Sequence, residues 1–224
     1  EIFHVKQAME YFNGNWLKWD PMITTPPGLY FISVAIMKIF YQKICSINHL
    51  RLVNAAFGLG NFIVSQRIAT KLKLNFATER AFLIALLPNL FIFYGLFYTD
   101  AGPSFFCLLA YLNLIEGNSF AFLLSSIVSL SFRQTNIIWV GLFFIADRIN
   151  RKFGSDIKTL WKRKCEIFRE LIMGIVLFVI FGIGVIFNDG SIALGDKGSH
   201  QISPHFSQFF YFTLMTGLFC VPII

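Results

Sequence analysis

Long apolar stretches alternate with short polar connections along the whole chain. Seven apolar runs occupy residues 28–46, 51–67, 81–99, 103–116, 119–146, 171–188 and 205–224. Period-two alternation is absent, and lipid offers no partner to a free backbone amide, so each run predicts a membrane helix. A full span needs roughly 20 residues. The run 103–116 is short for that and predicts a tilted, re-entrant or kinked segment. The run 119–146 is long and carries Arg133 near its middle. Ahead of the runs, Ile2, Val5, Met9 and Phe12 fall on one helical stripe, with Glu1, His4, Gln7 and Glu10 largely off it. That pattern predicts an amphipathic helix lying on a membrane surface. Pro21, Pro26 and Pro27 then stop any helix and stiffen the loop that follows.

Composition narrows the class. Of 224 residues, 56% are hydrophobic and 14% charged, against about 25% charged in a soluble domain. Mean hydropathy is +0.64. Too little polar surface remains to cover a water-soluble globule, which excludes a soluble enzyme and a disordered segment alike. The fold class expected is all-α, a polytopic membrane protein.

Charge supplies the topology. The net charge is +7, and 8 of the 19 Lys and Arg residues lie between Asp147 and Glu170. Cytosolic loops of membrane proteins carry such an excess, so 147–170 is read as a basic cytosolic loop rather than a nucleic-acid surface. The loop 189–204, with Asp189, Asp196, Lys197 and His200, then lies opposite, between the membrane helices of 171–224. Counting five spans back across 28–146 puts residues 1–27 on that same non-cytosolic side. The count also puts 67–80 there, although Arg67, Lys71, Lys73 and Arg80 face only Glu79. The two rules conflict, and the side of 67–118 stays open. Cys45, Cys107, Cys165 and Cys220 are far apart and form no C-x-x-C pair, so neither a zinc site nor a disulfide framework is expected. The chain begins at Glu1 rather than Met and ends inside an apolar run, which reads as a piece of a longer membrane protein.

Polar groups at bilayer depth are the candidates for chemistry. Arg133 sits in Ser131-Phe132-Arg133-Gln134-Thr135-Asn136. A charge at that depth usually faces a cavity or a partner, and a guanidinium fork suits a phosphate or carboxylate. Alternatively the run is two shorter helices and Arg133 marks an exposed turn. Asp100 could orient a sugar hydroxyl or pair with Arg133, or simply cap the helix starting near Pro103. In the first loop, Glu1, His4, Glu10 and Asp20 offer carboxylates beside a rigid proline loop, suited to a general base or to solvation. The turn-rich segment 188–200 could bring Lys197 and His200 to an anionic phosphate, or be an ordinary loop.

Read together, these residues carry a family resemblance. Glu1-Ile2-Phe3-His4, Trp19-Asp20-Pro21-Met22-Ile23-Thr24-Thr25-Pro26-Pro27-Gly28-Leu29-Tyr30, Tyr98-Thr99-Asp100, Phe132-Arg133-Gln134-Thr135-Asn136-Ile137-Ile138-Trp139, and Gly195-Asp196-Lys197 with His200 follow one another in this order. The chain thereby resembles, over its whole length, the dolichyl-phosphate-glucose-dependent alpha-1,2-glucosyltransferases of the endoplasmic reticulum. These add the last glucose to the lipid-linked oligosaccharide used in N-glycosylation. The resemblance implies a C-type glycosyltransferase architecture, a multi-pass endoplasmic reticulum location and residues 1–27 as a lumenal loop. It implies dolichyl phosphate glucose as donor and a dolichyl-linked glycan as acceptor; no cofactor and no metal-ligating residue is expected from the sequence, which leaves a metal requirement open. The family carries an Asp-Glu pair after its first span. Glu1 matches its second acid, and this sequence starts after the first.

The resemblance also implies roles. The donor glucose is beta-linked and the product alpha-linked, so one inversion suffices. Glu1 is the expected base towards the acceptor hydroxyl, with Asp20 next. Arg133, Lys197 and His200 are expected beside the departing phosphate, where cations lower the barrier. Asp100 and Gln134 are expected to position sugar or head group. Two other classes compete: a transporter or channel component, which should show paired inverted halves that this sequence lacks, and a non-catalytic membrane scaffold or channel modulator.

Overall fold

The computed structural model describes residues 1–40, 44–196 and 206–220. Among them the secondary structure is helical throughout, with no strand. Helix α1 (Ile2–Phe12) buries Gln7, Ala8 and Tyr11, while Ile2 and Phe3 are exposed. Of the predicted stripe, Ile2 is exposed while Val5 and Phe12 are half-buried against the core, so the most buried positions lie beside the stripe rather than on it. Ala8 is small enough for close approach. The Gln7 amide is satisfied by backbone, its Nε2 donating to the Lys18 carbonyl (2.7 Å) and its Oε1 accepting from the Asp20 amide (2.9 Å). A buried polar group with both ends bonded carries little penalty, so the helix turns that side inward. Gly14, at φ +89°, then reverses the chain, a conformation glycine adopts without strain.

Helix α2 (Gly28–Ile39) has 12 residues, about 18 Å at 1.5 Å per residue, too short for a hydrocarbon core of about 30 Å. It lies along α1. Trp16 stacks on Phe31 near the start of α2 (5.8 Å) and meets Lys38 near its end (5.3 Å). Helix α3 (Ile47–Lys71) is capped by the Ser46 hydroxyl. Its first turns return to the start of α1, where Arg51 bonds Glu1. The segment 28–46 thus begins and ends beside α1, although the apolar run predicts a crossing. Removing that crossing from the count puts the basic connection 67–80 at the same end as 147–170. The ion pair Lys71–Glu116 (3.4 Å) and the Arg148 bond to the Leu114 carbonyl (2.5 Å) tie that end together.

From there the chain runs back through α4 (Ala77–Ala85) and α5 (Pro88–Tyr94). Pro88 splits the run 81–99, sitting in the first turn of α5 where its missing N–H costs nothing. Helix α6 (Ala101–Ile115) is one unbroken 15-residue helix, where a tilted, re-entrant or kinked segment is expected. Gly117, at φ +82°, turns it into α7 (Ser119–Phe132). The run 119–146 then breaks. Arg133 is extended (φ −150°, ψ 114°), a 3-10 turn follows at Gln134–Asn136, and a π segment at Trp139–Phe143 leads into α8 (Phe144–Phe153). Short α9 (Ile157–Lys162) precedes α10 (Lys164–Phe187), the one helix among the described residues long and apolar enough to cross a membrane. Helix α11 (Phe206–Cys220) is apolar and its described side chains are largely exposed.

Besides a small cluster of Val64, Ile68 and Leu112 between α3 and α6, two larger apolar clusters hold the bundle. One joins Ala8, Tyr11, Leu29, Tyr30, Leu50, Phe57, Phe97 and Phe132, beneath the end that carries α1. The other joins α6, α7, α8 and α10 through Ala110, Leu114, Phe122, Val140, Met173 and Leu177. Close approach is built in where α10 crosses the π segment: a Cβ on Gly174 would stand 2.6 Å from the Gly141 carbonyl.

Candidate functional site

The end of the bundle that carries α1 gathers the loops 13–27, 95–100, 133–136 and 188–196. Their approach is fixed by backbone bonds. The Leu194 amide donates to the Thr24 carbonyl (3.1 Å), and the Asp196 amide to the Pro21 carbonyl (2.8 Å). Gly195 (φ +69°) lies so close over Pro21 and Ile23 that no Cβ fits. Gln134 closes the join: its Nε2 donates to both the Thr24 (2.7 Å) and Ile192 (3.0 Å) carbonyls. Gln134 is expected to touch sugar or head group. Here its amide nitrogen is bonded to two loops, so it acts on them directly.

Under this roof lies a cavity of about 600 Å³ lined by Thr24, Thr25, Arg133, Gln134 and the 189–193 turn. Asp100 occupies the N-cap position of α6 but makes no side-chain cap bond; its Oδ1 accepts from Arg133 Nη1 at 2.6 Å. Of the three readings open to Asp100, the structure shows the pairing with Arg133. Both readings of Arg133 hold in part. The helix does break there, and the guanidinium lines a cavity with 40% of its side chain exposed.

A second cavity, of about 270 Å³, adjoins the first and shares Gln134, Ser191 and Ile192 with it. Its remaining walls are mostly apolar: Ile127 and Leu130 of α7, Ile180, Phe181, Gly184 and Val185 of α10, with Pro26 and Leu194, and only Ser131 and Asn188 polar. Gly184 leaves open space rather than a side chain towards its neighbours. A polar chamber beside an apolar groove, with Gln134, Ser191 and Ile192 common to both walls, suits a ligand with a polar head and a hydrocarbon tail.

The acids of the first loop differ in environment. Both Glu1 oxygens are engaged: Arg51 donates to them at 2.8 and 2.5 Å, and the Phe97 amide donates at 2.7 Å. Chiefly through the Arg51 bond, the Glu1 carboxyl is held down at about 2. Such a carboxylate takes up a proton poorly at neutral pH. Asp20 accepts from the Met22 amide through Oδ1 (3.0 Å) and lines a cleft of about 340 Å³ with Lys6, Gln7, Glu10, Lys18, Trp19 and Pro21. His4 lies within electrostatic reach of Asp20 and Asp100. Its Nδ1 is 2.5 Å from the Tyr30 hydroxyl, and its ring meets the edge of Tyr98 at 4.8 Å. Burial pulls its pKa down to about 4, so it is neutral at physiological pH.

Of the residues picked out in the sequence, Glu1, Asp20, Asp100, Arg133 and Gln134 therefore come to one end of the bundle. Lys197 and His200 lie outside the described residues. Arg51 is not among them; the sequence signal for it is a cation at the head of the apolar run 51–67, with no further charge before Arg67. Among the described residues, no group of His, Cys, Asp and Glu is placed to hold a metal ion.

Comparison with known proteins bears on these loops. The sequence model of the DIE2/ALG10 family matches residues 1–164 and 149–224. The chain is 33% identical over 270 aligned residues to a rat protein named Dol-P-Glc:Glc(2)Man(9)GlcNAc(2)-PP-Dol alpha-1,2-glucosyltransferase, covering 99% of this chain and 56% of that protein. Human and Arabidopsis thaliana proteins of the same name are 34% and 29% identical, over 99% and 100% of this chain and 56% and 60% of theirs. The chain thus spans about half the length of the curated relatives it matches. No solved structure matches it.

Proposed function

The chain belongs to the DIE2/ALG10 family, and from that premise we propose that it forms the donor-binding part of a dolichyl-phosphate-glucose alpha-1,2-glucosyltransferase. The reaction moves glucose from dolichyl phosphate to the glycan of a dolichyl-linked acceptor. The observation that carries the proposal is the junction of the Arg133 chamber with the groove between α7 and α10. The groove takes the first isoprene units and the chamber takes phosphate and glucose. The end carrying α1 faces the lumen of the endoplasmic reticulum and the basic end faces the cytosol, in a multi-pass chain of C-type glycosyltransferase architecture. An all-helical bundle with a surface helix ahead of it and polar loops gathered at one end supports that assignment.

The chemistry follows from charge. As the anomeric carbon parts from the phosphate, negative charge grows on the phosphate oxygens. Arg133, aimed by Asp100, stabilises that charge without reorganising. One in-line attack by the acceptor hydroxyl converts a beta donor to an alpha product. The base needs a carboxylate oxygen open to the acceptor hydroxyl, so Asp20 fits this role better than Glu1, whose oxygens are bound by Arg51 and Phe97. Lys197 and His200 remain proposed as further cations for the phosphate.

A transfer assay tests this reading, using microsomes that lack the endogenous enzyme and contain the full-length protein. Arg133→Ala and Asp20→Asn should each lower glucose transfer by about a hundredfold or more with normal membrane insertion. Glu1→Gln should cost less than Asp20→Asn. Unchanged transfer in both Arg133→Ala and Asp20→Asn would reject the site, and a larger loss for Glu1→Gln would return the base to Glu1.

A further inference from the structure

We propose that α9 and the first turns of α10 form a docking surface for anionic phospholipid headgroups at the basic end of the bundle. The argument starts from ion pairing between residues 147 and 170. Arg148 and Lys152 share the buried Glu170 carboxylate, each at 2.7 Å. Arg151 pairs with Asp147 (2.6 Å) and Arg163 with Glu166 (2.9 Å). Three of the four acids of this stretch are thereby paired; the fourth, exposed Asp156, caps α9 by accepting from the Thr159 amide and hydroxyl and offsets one of the four cations left over. Lys158, Lys162, Lys164 and Arg169 are exposed and make no ion pair among the described residues. The uncompensated charge is thus concentrated on α9 and the start of α10.

The position of that charge identifies the partner. Helix α10 is the span candidate and begins at Lys164, so α9, ending two residues earlier, sits at the boundary between hydrocarbon and water. Trp161 is 74% exposed on α9, with the Lys164 ammonium 5.3 Å from its ring centre. Phe168, one turn into α10, is also exposed. An exposed indole flanked by lysines at that depth matches the interfacial belt, and lysines near an anionic leaflet are drawn to it. A purely topogenic loop needs the lysines but not an exposed tryptophan among them. This surface lies at the opposite end from the Arg133 chamber, and the inference does not depend on the enzyme reading.

The test places the full-length protein in phospholipid nanodiscs, which expose both faces to protease. Tryptic cleavage after Arg163 is measured relative to cleavage after Lys73, in discs of phosphatidylcholine alone and of phosphatidylcholine with phosphatidylserine. In the anionic discs at low salt the ratio should fall by roughly tenfold or more, each lysine near the surface contributing up to about fivefold. High salt should restore it. The triple variant Lys158→Gln, Lys162→Gln, Lys164→Gln keeps the Arg163 site and the fold, and should lose the difference between the two discs. Equal ratios in the two discs for the unaltered protein would overturn the proposal. So would protection that survives high salt or the triple substitution, since that protection would be apolar or structural.

Discussion

Two ionisable side chains at the head of the molecule set how it should respond to acid. His4 is held neutral, at about 4 against a usual 6.5, mainly by burial. The unfolded chain therefore binds the extra proton first, and stability falls as pH drops from about 6.5 towards 4. Glu1 is held ionised, at about 2 against 4.5, mainly by its bond from Arg51. The stability it lends is complete above pH 4.5 and is lost as pH falls towards 2. Thermal unfolding of the detergent-solubilised protein should show both limbs. His4→Phe should flatten the upper limb, and Arg51→Leu the lower. A His4→Phe protein whose upper limb keeps its slope would contradict the neutral assignment. At this scale the sequence shows which side chains matter better than what they touch. Arg133 stands out because a charge interrupts an apolar run. Its pairing with Asp100, 33 positions earlier, is one of the readings the sequence offers, but what selects it over a helix cap is how α6 and α7 fold back on each other, which composition does not encode. The same holds for Glu1, whose partners Arg51 and Phe97 lie far along the chain.

Between neighbouring elements, the buried Glu170 on α10 is the strongest polar tie, accepting from both Arg148 and Lys152 of α8. Glu170→Ala leaves two cations facing a vacated, largely buried site and should cost about 3–5 kcal/mol, read as a lowered thermal midpoint in detergent. Glu170→Gln keeps the volume and should cost less. An unchanged midpoint in both would mean that the pairs carry no net stability. The apolar runs foretell where helices stand, because burial and lipid both select the same side chains. They do not foretell where a run divides. Pro88 and Arg133 break two of them, and α2 turns out too short to cross. A run of apolar residues specifies an apolar environment, and that requirement is met as well by lying against α1 as by spanning a bilayer. The reverse occurs on α1. There a glutamine bonded at both ends replaces an apolar residue on the inward face, and a hydrophobicity pattern cannot register that exchange.

For the molecule as a whole, under the proposed multi-pass topology, the short α2 removes the conflict between counting spans and counting charges. With 28–46 starting and ending beside α1, the cations of 67–80 and those of 147–170 share one end, as the positive-inside rule requires. Single cysteines in place of Lys73 and Lys158, in a background stripped of native cysteines, should both react with a membrane-impermeant maleimide applied from the cytosolic side. Cysteines in place of Asn15 and Gly190 should react only after the membrane is permeabilised. Opposite behaviour of the Lys73 and Lys158 positions would restore the crossing by α2. The chamber and groove themselves were legible only as ingredients. The sequence supplies Arg133, the proline loop and the 188–196 turn, while their meeting depends on two loop-to-loop backbone bonds and on Gln134.

The central claim is that one continuous space holds a phosphate head at Arg133 and an isoprenoid tail between α7 and α10. The most direct measurement is photo-crosslinking of the full-length protein with a polyprenyl phosphate glucose analogue whose first isoprene units carry a diazirine. Labelled peptides should come from residues 127–134 and 180–194, and excess dolichyl phosphate glucose should compete the label away. Label confined to the basic end, or undiminished by that competitor, would contradict the account.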